Sequence, residues 1–346
     1  MPPPPRAHKP PRTLAAIVEK FGGTRVLVAG DLMLDRYWTG EVERISPEAP
    51  VPVVRKIGAF AVPGGAANTA CNVRALGAET VLLGLAGRDE AGRILREILV
   101  RRGVDCSQLS MQNGRPTTVK LRVVAHDQQV VRIDDEETAP IDADLGRQVI
   151  RRAARLMPGV DAVLISDYAK GFATGPVVKG ILAAARACGK PVAVDPKGAD
   201  FDRYQGATVI KPNRHELSLL TGLPVRQHEE TLAAARHLRS RAGSTAIVVT
   251  EGKDGMTLFQ AGGSEQHFAS FAREVYDVTG AGDTALAALA VALAAGAGMG
   301  DAVWLANLAA GLAVGEPGTV AISREKLAQA VAAALRPRAA RSPRHV

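Results

Sequence analysis

The sequence predicts an α/β protein: a mostly parallel central sheet flanked by helices, with a small β-sheet lid. Three observations carry this. Short β-branched runs alternate with helical patterns over most of the chain. Two segments, 36–57 and 117–134, break the rhythm, each following a core strand and lacking the helical period, which predicts a separate small antiparallel sheet projecting as a lid. Glycine-rich turns open helices at 64–70 and 277–283, which places a ligand site at the ends of strands.

In chain order, the runs at 25–29, 80–85, 162–166, 191–195, 207–210 and 246–250 are short, apolar and rich in Val, Ile and Leu, as strands buried on both faces require. Helical patterns fall between them at 68–76, 91–102, 142–157, 176–188, 216–221 and 230–241, then at 281–295 and 301–315, and 324–335 closes the fold. Within the lid, 51–57 reads as a strand, and two strand-like runs flank the polar turn His126-Asp127-Gln128. One domain over 13–335 is therefore expected, between Pro/Arg-rich ends at 1–12 and 336–346 that read as disordered.

Composition excludes several function classes. With 47% hydrophobic and 23% charged residues, the chain is an ordinary globular protein. Only 4% aromatic residues leaves too few rings for a single-strand stacking platform. The net charge of +8 sits largely in Arg6, Lys9, Arg12, Arg336, Arg338, Arg341 and Arg344, so the body carries no global basic signal and no nucleic-acid partner is expected. Cys71, Cys106 and Cys188 are an odd number without metal-ligand spacing, and the reading is a reducing cytoplasm. The one membrane-like stretch, 284–300, is mostly Ala and Gly, which suits a close-packed buried helix and not a span.

Four motifs carry chemistry. Asp277-Val278-Thr279-Gly280-Ala281-Gly282-Asp283 precedes the Ala-rich helix. Its glycines leave amides unobstructed at a helix N-terminus, an anion site, and a carboxylate there reads either as a helix cap or as a base taking a proton from an attacking hydroxyl. Gly64-Gly65-Ala66-Ala67-Asn68 is either a plain turn or a backbone opening where Asn68 reads vicinal hydroxyls. In Lys211-Pro212-Asn213-Arg214-His215-Glu216, Asn213 and Glu216 share a helical face as a capping box or as oxygen ligands for Mg²⁺ waters and a phosphate. Thr250-Glu251-Gly252-Lys253-Asp254-Gly255 ends a strand where nucleotides bind in open α/β sheets, or is a simple turn.

Together, in this order and spacing, the four motifs resemble the PfkB (ribokinase-like) carbohydrate kinases over roughly residues 20–335. The resemblance implies a ribokinase-like fold and ATP-dependent phosphoryl transfer with Mg²⁺. It implies Asp283 as catalytic base and Gly280, Ala281 and Gly282 as the anion hole. Asn213, Glu216, Thr250, Gly252, Gly255 and Asn307 fall on ATP-binding positions, with Mg²⁺ held through water by Asn213 and Glu216. Asp277 and Thr279 fall on a monovalent-cation loop whose candidate ion is K⁺.

Finer features narrow the resemblance. Gly30-Asp31-Leu32-Met33-Leu34-Asp35-Arg36-Tyr37-Trp38, Ser46-Pro47-Glu48-Ala49-Pro50, Ser166-Asp167-Tyr168-Ala169-Lys170-Gly171 and Asp195-Pro196-Lys197-Gly198 are similar to the branch that phosphorylates D-glycero-β-D-manno-heptose 7-phosphate in lipopolysaccharide core synthesis. That branch implies Asp35, Gly64, Gly65, Asn68 and Asp195 on the sugar. Lys120 and Arg132, with Arg122 and Lys197 as weaker candidates, then neutralise a sugar phosphate, unless they are solvated edge-strand charge. The alternatives are another PfkB kinase acting on fructose, ribose, adenosine or a hexose phosphate, or a non-catalytic sensor. With no His-x-Gly-His motif among seven histidines, the expectation is a stand-alone kinase without the nucleotidyltransferase domain fused to it in many members. Exposed lid sheets need covering, so a homodimer through the lid is expected.

Overall fold

The computed structural model describes residues 13–126, 128–243, 245–272, 275–316, 318 and 320–335. Both basic tails lie outside them, as does Asp127 of the expected lid turn. Among the described residues twelve strands form one sheet, nine of them in the main path β12-β11-β10-β9-β8-β7-β1-β3-β4. The parallel members are β1 (Arg25–Ile45), β3 (Glu79–Gly87), β4 (Ser110–Gln112), β7 (Ala162–Ser166), β8 (Val192–Asp195), β9 (Val209–Ile210) and β10 (Ala246–Thr250). β11 (Met256–Phe259) and β12 (Glu265–Phe268) extend the edge as antiparallel strands. The expected mostly parallel sheet flanked by helices is the fold observed.

Two cores follow from strands that are apolar on both faces. One face packs against α1 (Leu14–Glu19), α2 (Ala66–Ala75), α3 (Glu90–Arg101), α8 (Ala281–Ala294), α9 (Met299–Ala313) and α10 (Arg324–Leu335). The other packs against α4 (Ala143–Leu156), α5 (Gly175–Ala187), α6 (Arg214–Thr221) and α7 (His228–Arg241). The 284–300 stretch behaves as its composition suggests: α8 is buried from Asp283 through Ala292, its small side chains letting α9 pack closely. No helix among the described residues is long and apolar enough to cross a membrane.

The lid departs from expectation in two ways. It is not separate: β1 runs 21 residues, pairing with β7 up to Gly30 and with β3 up to Asp31 and then, from Leu32, with β2 (Pro52–Gly65). Nor is it purely antiparallel, since β5 (Val119–Ala125) lies parallel to β1 while β6 (Gln128–Asp135) is antiparallel to β5. Gly30 and Asp31, residue types that ordinarily end a strand, lie inside β1 instead, so the strand runs on from sheet to lid where the sequence suggests a stop.

Residues in register across adjacent strands share a face. Asp35, Lys120 and Asp134 are in register, as are Tyr37, Arg122 and Arg132, so these six project from one lid face. The other face carries Trp38, Val131 and Ile133, all exposed.

Candidate active site

The carboxyl ends of β7 to β10 and the N-terminus of α8 enclose a cleft of about 480 Å³, lined among others by Asp195, Lys211, Glu216, Thr250, Gly282 and Asn307. The sequence-predicted anion motif and nucleotide motifs thus meet in one place. A larger cavity of about 630 Å³ lies behind the 167–171 segment between α4 and α5 and holds none of the predicted site residues.

Asp283 sits in the first turn of α8, buried at 6% exposure. It does not cap its own helix, because Gly280, at φ 79°, is the N-cap residue. Its carboxylate instead accepts three neutral hydrogen bonds, from Asn68 Nδ2 at 2.8 Å, Thr69 Oγ1 at 2.9 Å and the Tyr168 hydroxyl at 2.8 Å. Burial pushes its proton affinity above the ordinary carboxylate range, and those bonds with the nearby Lys211 ammonium pull against it. An anion-accepting backbone beside a buried carboxylate of raised pKa is an arrangement suited to proton abstraction near a developing negative charge. A Cβ on Gly282 would meet nothing closer than Lys211 Nζ at 3.9 Å. The protein itself therefore has room for a side chain there, and the absence of one leaves the backbone open to a ligand.

Asp195, at the end of β8, holds the buried Lys211 ammonium at 3.1 Å. Burial pushes the Asp195 carboxyl up, with Glu216 and Asp283 reinforcing it and Lys211 opposing. Glu216 accepts from Lys197 Nζ at 3.1 Å and from the Asn213 backbone at 3.0 Å, while Asn213 Oδ1 accepts from the Glu216 backbone at 2.9 Å. The capping box and the cleft position were weighed as alternatives in the sequence; both hold, because the cap of α6 itself lines the cleft. Thr250, Gly252, Gly255 and Asn307 line it too. Gly255 has φ 97°, and Asn307 Nδ2 donates to the Ala269 carbonyl at 2.8 Å, tying α9 to the segment after β12. Half-buried Asp277 and exposed Thr279 lie just before α8, the Thr279 amide donating to Asp277 Oδ1 at 2.8 Å.

Other predicted residues lie elsewhere or are already engaged. Asn68, expected to read sugar hydroxyls, is bonded to Asp283. Gly64 lies against the Asp35 carboxylate, and Gly65, at φ 57°, against the Asp31 carbonyl. Asp35 accepts from Arg122 Nη1 at 2.6 Å, so Arg122, the weaker candidate, is the lid cation nearest the sugar-side carboxylate. Lys120 is held by Asp134 at 2.8 Å and Glu136 at 3.2 Å, and Arg132 by Asp134 at 2.9 Å. Neither is a bare cation awaiting an anion, because the same strands supply their counter-charges. Thr69, Tyr168 and Lys211 were not singled out. Thr69 follows Asn68, Lys211 opens the Asn213 motif and Tyr168 lies in the Ser166–Gly171 run, but only the fold brings the three to one carboxylate.

Behind the cleft, Asp167 accepts from the Tyr204 hydroxyl at 2.7 Å and pairs with Arg203 at 3.0 Å. Burial pushes its carboxyl up to about 6 from the ordinary 3.8. The folded state thus holds the proton more tightly than the unfolded chain, and this contribution to stability is complete below about pH 4 and lost as pH rises through about 6. Asp167→Asn does not titrate, so its stability relative to the parent should rise by up to about 3 kcal/mol between those limits. Denaturant unfolding at pH 4 and pH 7 checks this; a gap independent of pH would contradict it.

Residues 24–326 match the family model described as pfkB family carbohydrate kinase. The chain is 45% identical over 322 residues to bifunctional protein HldE of Rhodospirillum rubrum, covering 93% of this chain and 65% of that one. It is 46% identical over 320 residues to bifunctional protein HldE of Alcanivorax borkumensis, covering 91% and 65%. The chain thus spans slightly less than two thirds of the length of these curated relatives. Among solved structures it is similar to Arabidopsis thaliana ribokinase complexed with ribose and ATP, with TM-score 0.72 and 24% identity over 89% of this chain and 98% of that one. It is also similar to phosphofructokinase-2 from Escherichia coli in complex with potassium, with TM-score 0.74 and 21% identity over 90% and 99%. At these identities the likeness to the solved structures is one of fold.

Proposed function

The chain belongs to the pfkB family of carbohydrate kinases, and from that premise we propose that it transfers the γ-phosphoryl group of ATP to the anomeric C1 hydroxyl of D-glycero-β-D-manno-heptose 7-phosphate, giving the 1,7-bisphosphate and ADP. The observation that carries the reading is the buried Asp283 carboxylate beside the open Gly280–Gly282 backbone. Asp283 accepts the C1 hydroxyl proton as the oxygen attacks phosphorus, and the bond to the ADP oxygen breaks on the opposite side. The α8 N-terminal amides stabilise the charge on the transferring group, with Lys211 close behind them. ATP lies along the Thr250–Gly255 loop towards Asn307. The sugar lies under the lid, its hydroxyls on Asp35 and Asn68 and its phosphate towards Lys120, Arg122 and Arg132.

The cleft's donor set fits Mg²⁺: Glu216 and Asn213 offer hard oxygens in a site already crowded by the Asp195 carboxylate, where an arriving polyphosphate needs added positive charge. Bound there through water, Mg²⁺ supplies charge neutralisation for the phosphates. Asp277 and Thr279 offer the oxygen ligands that suit K⁺. Trp38, Val131 and Ile133 suit a second copy docking lid to lid, and three free cysteines suit a reducing cytoplasm. The kinase domain is assigned to 13–335.

The test is direct. Incubated with ATP-Mg²⁺ and the heptose 7-phosphate, the chain should produce ADP and a new anomeric phosphate visible by ³¹P NMR. Turnover of an unphosphorylated sugar or a hexose phosphate, with none of the heptose phosphate, would assign it to another branch of the family.

A further inference from the structure

We propose that Asp31 is a positioning residue that clamps the 168–172 segment and thereby seats the Tyr168 hydroxyl on Asp283. The inference rests on the reading of Asp283 as the base. Asp31 is buried at 2% exposure, and its two carboxylate oxygens accept separate backbone amides, Tyr168 N on Oδ2 and Phe172 N on Oδ1, both at 2.9 Å. One carboxylate therefore closes both ends of a five-residue loop whose Tyr168 side chain reaches the base at 2.8 Å.

The loop needs such a clamp. Ala169 has φ 55°, a left-handed conformation that non-glycine residues avoid, and Gly171, at φ 86°, is pressed against the Ala139 carbonyl. Strained backbone persists only where its surroundings over-determine it. Asp31 provides two of the holding bonds and Asp167 a third, accepting from Ala169 N at 2.8 Å. Asp31 is also the last β1 residue paired with β3, the next residue opening the pairing with β2. The clamp thus sits where sheet and lid part, and its carbonyl and the Tyr168 ring both border Gly65.

A hydroxyl donated to a carboxylate favours its ionised form. The other groups acting on Asp283 are the neutral donors Asn68 and Thr69 from α2, the Lys211 ammonium after β9, which lowers its pKa, and Asp195 at the end of β8, which is coupled to it as a like charge. Glu216 of α6 acts on Tyr168. Tyr168→Phe removes one donor and leaves the rest. Asp31→Asn replaces an acceptor with an amide N–H₂ facing a backbone N–H, so one end of the clamp opens.

Tyr168→Phe should move the acid limb of the kcat profile up by about one pH unit, with KM for both substrates near the parent's. Asp31→Asn should move the same limb in the same direction, and the double variant no further than Tyr168→Phe alone. Titration of the Asp283 ¹³C carboxyl resonance, assigned by its loss in Asp283→Asn, reads the effect without substrate. An unchanged Asp283 titration in Tyr168→Phe overturns the proposal even if Asp31→Asn fails to fold. So does an Asp31→Asn variant whose rate falls uniformly with pH, or whose effect adds fully to that of Tyr168→Phe. A parent inactive on the heptose phosphate defeats the substrate assignment alone, because the carboxyl titration still decides the role of Asp31.

Discussion

Asp283→Asn should lower kcat by roughly 10²–10⁴ while leaving the melting temperature unchanged or raised. The two signs come from one feature. In the folded protein the carboxylate is deeply buried, and desolvation is the largest influence on it, opposed by three neutral hydrogen bonds and Lys211. Removing the charge removes that penalty, so stability gains or breaks even, as at functional sites that trade stability for activity. The substitution keeps size and shape. Asn offers one acceptor to the Thr69 and Tyr168 hydroxyls, and the Asn68 amide can turn its oxygen to meet the new N–H₂. What is lost is a proton acceptor at neutral pH. Were Asp283 a structural residue, the opposite pattern would appear: a lower melting temperature with kcat retained. Substrate affinities measured by calorimetry should persist, since ATP and sugar contacts come from other residues, and ATP then meets one less negative charge. A variant holding more than about a tenth of the parent kcat would remove Asp283 as an essential base.

Much of this was legible in the sequence, and what was not has common causes. β7 and β10 were readable because they are apolar on both faces and bounded by breakers, and α8 because an Ala-rich run of that length has few other uses. β11 and β12 were missed because neither carries the Val and Ile that mark even the short β8 and β9, and β12 is largely polar at an edge. The continuity of β1 was missed because Gly30-Asp31 reads as the end of a strand and the chain beyond Asp35 exchanges a doubly buried run for a half-exposed one. Within the site, Asp283 was legible since glycines before an acidic helix start are unusual chemistry. Its donors Thr69 and Tyr168 were not, because they lie 214 and 115 residues away and nothing local marks them. Lid cations were legible as residues but not as pairs: Glu136, which joins Lys120 to Lys170, has no sequence signal beyond its charge.

Those pairs shape the second large effect. A 7-phosphorylated heptose should be used at least about 10²-fold better, in kcat/KM, than its unphosphorylated analogue, because two charge-assisted hydrogen bonds contribute about 1.5–3 kcal/mol each. The resting lid moderates that figure. Lys120 and Arg132 already share Asp134, Lys120 also holds Glu136, and Arg122 holds Asp35. Asp134 is kept below the ordinary carboxylate range chiefly by its Lys120 hydrogen bond, so it is ionised and a phosphate must exchange partners with it. The consequence is a counter-intuitive variant. Asp134→Asn, which deletes a negative charge from a substrate face, should free Arg132, leave Lys120 with Glu136 alone, and lower KM for the phosphorylated sugar. It should leave KM for the unphosphorylated one where it was, because that sugar brings no anion to the released charge. Lys120→Met should do the reverse, narrowing the preference for the phosphorylated sugar towards unity. Kinetics of the two sugars against parent, Asp134→Asn and Lys120→Met give a cycle in which the phosphate is the only variable. Equal kcat/KM for the two sugars in the parent, or a preference that Lys120→Met leaves intact, would mean that the lid cations serve only their own carboxylates.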